Sequence, residues 1–194
     1  MKSVLTLIGF GMAVILFSGC AASTAHLPPV TGFNADRYLG QWYEIARLPH
    51  RFENGLSQVT ATYSKEDEPG QLRVVNRGFD AAAGKWREAV GRAEFAADPK
   101  LGLLRVTFFR PFYGDYKIIR LDRDYRYAVV TSSRMNYFWI LARTPQITPA
   151  LRRELTDQAR NWGFATEQLI WSEPAALTPS PPRQGPPLSA VPQR

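Results

Sequence analysis

Few residues in this chain can do chemistry, and most of them stand apart. Two histidines (His26 and His50) and one cysteine (Cys20) are its only imidazole or thiol groups in 194 residues. No H-x-x-x-H pair, second cysteine or G-x-S-x-G elbow occurs, so a zinc centre or an activated nucleophile has no sequence basis. His26 lies in a stretch leading to a Pro-Pro pair and His50 stands beside Pro49, contexts in which a histidine is ordinarily a surface residue. No metal or cofactor is expected. What remains is acid–base or ion-pair chemistry. In NADRYLGQWYEIARLPHRFENGL, residues 34–56, Glu44 follows Trp42 by two positions and shares its face on an extended chain. Tyr116 and Arg120 share a face of a later run in the same way. Glu44 and Tyr116 would form an acid and base if burial shifted their pKa values. Alternatively, Glu44 would balance an inward Arg120, because an unpaired charge inside a fold is costly.

Strands must position these groups. Val59, Ala61 and Tyr63 alternate with threonines before the turn signal Glu68-Pro69-Gly70. Leu72 and Val74 alternate with arginine and valine up to a turn at residues 80–84. Further runs cover residues 85–95, 103–109, 115–121, 126–131 and 137–143. With an opening strand at 41–48 this gives eight strands joined by short links, the pattern of an all-β protein. One helix follows: Thr148 is a natural N-cap, Pro149 fits the first helical position and Gly163 supplies the stop. Leu151, Leu155, Ala159 and Trp162 give it an apolar stripe. A last short strand at 168–171 returns to the sheet. Eight antiparallel strands lose their exposed edges by closing into an up-and-down barrel with the C-terminal helix packed outside, and such a barrel has room for one small ligand. A split two-sheet sandwich is the architectural alternative.

The flanks differ from this body. Lys2 and the apolar residues 4–17 form a stretch shorter than the roughly 20 residues a bilayer span needs, which fits a secretory signal over residues 1–19. Leu16-Phe17-Ser18-Gly19-Cys20 resembles a bacterial lipobox, with Phe17 where such motifs usually carry Leu. That resemblance implies an acylated Cys20 and a membrane anchor, and Ala21 in place of Asp implies outer-membrane sorting, facing the periplasm. An ordinary signal with a free or buried Cys20 is the plainer alternative. Residues 20–31 read as a tether, and 32–173 as the barrel domain. Residues 174–194 hold seven of the fifteen prolines and no aromatic residue, a composition expected to stay disordered. The formal charge of +7 is spread among interleaved acids rather than gathered in a stripe, so nucleic acid is not an expected partner.

Three short motifs carry a family resemblance. Gly40-Gln41-Trp42 is similar to the G-x-W signature of lipocalins at the start of their first strand. Asp122-Arg123-Asp124-Tyr125 resembles the second signature, and Arg143-Thr144-Pro145 the third, in the expected order across residues 33–171. The strings RYLGQWYEIAR, PFYGDYKII and FWILARTP further resemble bacterial outer-membrane lipocalins. The resemblance implies a tryptophan, Trp42, across a closed barrel floor, with Arg143 lying over it. Gly40, Trp42, Arg143 and the turn residues Asp122, Asp124 and Tyr125 are then structural. It also implies a binding protein for fatty acids or lysophospholipids, rather than an enzyme, and makes a homodimer conceivable. A lipid-modifying or isomerising enzyme is the alternative.

With Arg143 at the floor, alternation turns Leu141, Trp139 and Tyr137 inward. Val59, Ala61 and Tyr63 would join them, as would Leu104, Val106 and Phe108. Alignment with the family's pattern implies that Tyr116, Ile118 and Arg120 complete the expected ligand-binding set, and Glu44 shares the inward parity of Trp42. A twist or bulge would instead turn Arg120 to solvent. The same residues could also fill a solid core with no cavity.

Overall fold

Period-two alternation produces nine strands among the described residues, β1 (Gly40–Arg47), β2 (Leu56–Lys65), β3 (Gln71–Asp80), β4 (Lys85–Phe95), β5 (Leu103–Phe109), β6 (Phe112–Leu121), β7 (Tyr127–Thr131), β8 (Phe138–Ala142) and β9 (Ile170–Trp171). The computed structural model describes residues 22–172, so Cys20, the signal-like leader and the segment 174–194 lie outside it. Each of the first seven strands pairs antiparallel with the next. β1 pairs with both β8 and β2, which closes the sheet and excludes the open sandwich. A closed ladder leaves no free edge among these eight strands. β9 adds beside the upper half of β1, where Ala46 faces Trp171 and Arg47 faces Ile170.

Connections at one end, after β2, β4, β6 and β8, form the floor, and those after β1, β3, β5 and β7 form the mouth. Helix α1 (Ala35–Tyr38), not foreseen in the sequence, tucks under the floor, with Asn34 accepting the Arg37 amide at 3.2 Å as its N-cap. Helix α2 (Pro149–Asn161) has the expected cap, the Thr148 hydroxyl accepting the Leu151 amide at 3.2 Å. Gly163, at φ +90°, ends its last turn in the left-handed region that glycine tolerates best.

Two apolar cores result. Inside the barrel, Tyr38, Trp42, Tyr63, Leu72, Val74, Leu104 and Ile118 fill the lower part. Outside it, Ile45, Leu48, Val129, Phe138 and Ile140 meet Leu155, Ala159 and Phe164 of the helix segment. Alternation assigns successive residues of β1, β7 and β8 to one core and then the other, so these strands are apolar on both faces.

The expected tether requires correction. Residues 22–31 are strapped to the barrel wall rather than free. Thr31 bridges Leu101 near the floor, the Val30 amide donates to the Ile118 carbonyl at 2.8 Å, and the Lys117 ammonium donates to the carbonyls of Leu27 and Thr24. At the mouth Thr24 is fully buried and the Met135 amide donates to the Ala22 carbonyl at 2.8 Å. Backbone pairing to the outer wall holds the segment, a contact that its composition does not reveal.

Candidate ligand-binding site

The floor is built from the motif residues. Trp42 is fully buried, and its indole donates to the Tyr38 carbonyl at 2.8 Å. The Arg143 guanidinium lies 3.9 Å above the Trp42 ring and donates to the carbonyls of Gln41 (2.9 Å), Arg37 (2.8 Å) and Tyr125 (3.3 Å). It thus joins a cation–π contact, worth about 0.5–2 kcal/mol, to the capping of three chain ends. Gly40 has φ +90°, and a Cβ there would sit 3.4 Å from the same guanidinium. Asp122 accepts the amides of Asp124 and Arg126 as well as the Arg126 guanidinium, which holds its pKa down at about 2. Asp124 contributes only its backbone amide to this turn. Tyr125, at φ +59°, accepts the Asn34 amide on its hydroxyl. None of these groups faces the lumen as a free acid, base or nucleophile.

Above this floor opens a cavity of about 810 Å³, a size typical of small-molecule sites. Val59, Ala61, Tyr63, Val106, Phe108, Tyr116, Tyr137, Trp139, Leu141 and Glu44 all line it. Phe108 lies near the rim, where its ring packs over Gly91; a Cβ on that glycine would meet the ring at 2.7 Å. Leu104 and Ile118 do not reach the cavity. Both point inward, yet they lie low enough to be packed with Trp42 in the closed core, at 2% and 0% exposure. The interior is therefore solid below and open above.

Arg120 is a second correction. In the β6–β7 ladder Ile118 faces Val130 but Arg120 faces Val129, so Ile119 is an extra residue and inward parity ends there. Arg120 emerges on the outer wall, bonded to Glu154 and Gln158 of α2 and to the Tyr127 hydroxyl at 2.9 Å. It cannot be the partner of Glu44. A matching irregularity in β1 supplies the substitute. Glu44 faces Leu141 while Ala46 faces Ile140, so Ile45 is extra and Arg47 turns inward. Arg47, 4% exposed, donates to the Glu44 carboxylate at 2.5 Å and to the carbonyls of Glu53 (3.0 Å) and Leu56 (3.1 Å).

This arginine does not itself line the cavity; it ties together Glu44 and Glu53, which do. Glu53, presented by a 3-10 turn (Arg51–Glu53), lies 2.9 Å from His50 Nε2 and accepts the Trp139 indole N–H at 3.2 Å. Burial and the nearby Glu53 charge raise the Glu44 pKa to about 8, against the pull of Arg47. Burial also works on Glu53, but hydrogen bonds from His50 and Trp139 outweigh it and hold that carboxyl below its ordinary value. One proton is thus retained by a pair of carboxylates facing one guanidinium. Deeper in the lumen, Tyr116 exchanges hydrogen bonds with Tyr38 (2.7 Å) and Tyr63 (2.9 Å), and burial pushes all three phenols up. Asn76 lines the cavity with its buried Oδ1 free of any protein partner; buried acceptors rarely stay unsatisfied. Glu53 and Asn76, which line the cavity, and Arg47 and His50, which bond to its carboxylates, were absent from the sequence-derived set. Arg47 and His50 were hidden by the bulge and the loop turn, which periodicity does not reveal.

Comparison with known proteins agrees with this geometry. A family model described as Lipocalin-like domain matches residues 33–174. The barrel, its capped floor and its open lumen are those of a lipocalin, and the chain belongs to that family. Within it the chain is a Blc-like lipocalin. It is 44% identical over 172 residues to the Outer membrane lipoprotein Blc of Escherichia coli (strain K12), covering 86% of this chain and 95% of the relative. It is 42% identical over 158 residues to the protein of the same name from Vibrio cholerae, covering 81% and 92%. Among solved structures, insecticyanin from the tobacco hornworm Manduca sexta superposes with a TM-score of 0.62 at 20% identity, covering 76% of this chain and 84% of that one, which supports the fold alone.

Proposed function

We propose that this barrel binds one amphipathic lipid, a fatty acid or lysophospholipid, and stores or carries it in the cell envelope. The observation that carries the reading is the lumen itself: an 810 Å³ cavity with an apolar lower wall and polar groups on one side and at its mouth. An acyl chain fits between Val59, Ala61, Val74, Val106 and Leu141. The head then lies among Arg77, Arg87 and Arg134, which border the opening. Relatives named as outer membrane lipoproteins support an envelope location, with acylated Cys20 as the anchor and the barrel facing the periplasm. Sequestering a lipid requires no change to its bonds. An enzymatic use of Glu44 and Tyr116 has weaker support, since Arg47 holds the first and two phenols hold the second.

Native mass spectrometry of delipidated full-length protein mixed with palmitate or lysophosphatidylethanolamine tests the proposal. One added mass per barrel, with quenching of Trp139 fluorescence, is expected. Absence of both at micromolar lipid ends the transport reading. Recovery of chemically altered lipid would favour the enzyme.

A further inference from the structure

The N-terminal strap has a direction. It climbs the outer wall from Thr31 beside the floor loop to Ala22 beside Met135 in the β7–β8 loop at the mouth. Ser132, Ser133 and Arg134 of that loop line the cavity entrance. Cys20 precedes Ala22 by two residues, so its reach from the rim is at most about 7 Å whatever path the chain takes. Any anchor at Cys20 therefore leaves from the open end of the barrel.

The rim has the composition to match. Among the described residues, six of the eight most exposed large hydrophobic side chains lie at the mouth, namely Phe52, Trp86, Phe108, Phe109, Phe112 and Tyr113. Phe109 and Phe112, at 75% and 70% exposure, crown the β5–β6 hairpin; none of the eight belongs to a floor turn. A cluster of exposed aromatics is rarely left uncovered on a soluble surface. Exposed Arg51, Lys85, Arg110 and Arg134 stand among them on the mouth loops. Aromatic rings interleaved with basic side chains suit the headgroup region of a bilayer carrying anionic lipid.

We infer that the mouth rim is a docking face for an anionic phospholipid bilayer, so that the barrel rests on the membrane with its lumen opening into the lipid. This deepens the proposed function and rests on its anchored-lipocalin reading. A chain tethered at the rim cannot easily turn its floor to the membrane, and a lipid can pass between bilayer and lumen without its tail crossing water.

The test uses full-length protein purified from cells and reconstituted on vesicles of phosphatidylethanolamine and phosphatidylglycerol. Single reporter cysteines are placed at Arg110→Cys on the rim and Asp67→Cys on the floor, both exposed, and carry an environment-sensitive nitrobenzoxadiazole dye. The rim dye is expected to shift to the blue and to be quenched by doxyl-labelled lipid several-fold more than the floor dye. Equal, water-like emission from both overturns the inference. So does a rim shift that needs no vesicles and grows with protein concentration, because a second copy then covers the face. The mass of the Cys20 peptide is read in parallel. An unacylated peptide ends the anchor reading, and the rim dye of that protein mixed with the same vesicles still decides the docking face.

Discussion

Replacing Glu44 with glutamine should remove a pH-dependent weakness from the barrel. In the folded protein the Glu44 carboxyl titrates near 8, raised from 4.5 by burial and by Glu53. A carboxyl whose folded pKa is raised contributes its stability in full below the unfolded value and loses it as pH climbs through the folded one. The window is therefore about pH 4.5 to 8, and the loss runs toward alkali. At about 1.36 kcal/mol per unit, the shift sets a ceiling of about 5 kcal/mol. Glu53, depressed by His50 and Trp139, works in the opposite sense, losing its contribution as pH falls; both proteins retain that effect. Glu44→Gln keeps the shape and cannot ionise. Wild type and variant should differ least near pH 4, and the variant should become progressively more stable toward pH 9. Urea titration followed by tryptophan fluorescence measures this directly. With a slope of about 2 kcal/mol per molar, each 2 kcal/mol moves the midpoint by about 1 M. Midpoint curves that stay parallel from pH 4 to 9 would refute the claim that burial holds a proton on Glu44.

Other perturbations separate the scaffold from the lumen. Arg143→Ala removes the stack on Trp42 and three bonds to chain ends, an expected loss of about 2–4 kcal/mol, read as a fall of roughly 5–10 °C in Tm by calorimetry. Ala61→Trp should fill the cavity from β2; circular dichroism should stay native while lipid uptake by native mass spectrometry falls to background. Arg120→Met should cost about 1 kcal/mol, as expected of a half-exposed ion pair to helix α2, and leave the lipid Kd of the wild type unchanged. A large change in that Kd would return Arg120 to the lumen and contradict the β6 bulge.

The architecture was legible because each of its signals is local. Alternation and turn residues marked β4 and β5 at their observed ends, and Thr148, Pro149 and Gly163 bounded the helix by capping chemistry. Floor residues were legible through motif spacing. The lumen was readable only as far as parity holds. One extra residue, Ile119, carried Arg120 out, and another, Ile45, brought Arg47 in. A bulge changes no composition and breaks no pattern that period two can register; its cause is the pairing of strands distant in sequence. Leu104 and Ile118 were assigned the correct face but not a height, since alternation says nothing about where a barrel interior stops being packed. The strap escaped notice for a related reason: its backbone bonds go to Leu101, Gly102, Ile118 and Ser133, partners that a Pro-rich stretch does not name.

Strand β1 is the member on which the whole sheet converges, since β2, β8 and β9 all pair with it. A ribosome makes it first. Its neighbour β2 follows at once, but β8 arrives about a hundred residues later and β9 later still. Until then β1 offers one unpaired side from Tyr43 to Arg47, and the meander from β2 to β7 has no means of closing. Contacts of such long separation slow folding, because loop entropy is lost before they form. The seam between β1 and β8, sealed by Arg143, is thus where the nascent protein is most open to wrong pairing, and a substitution there should retard refolding more than one of equal cost in a hairpin.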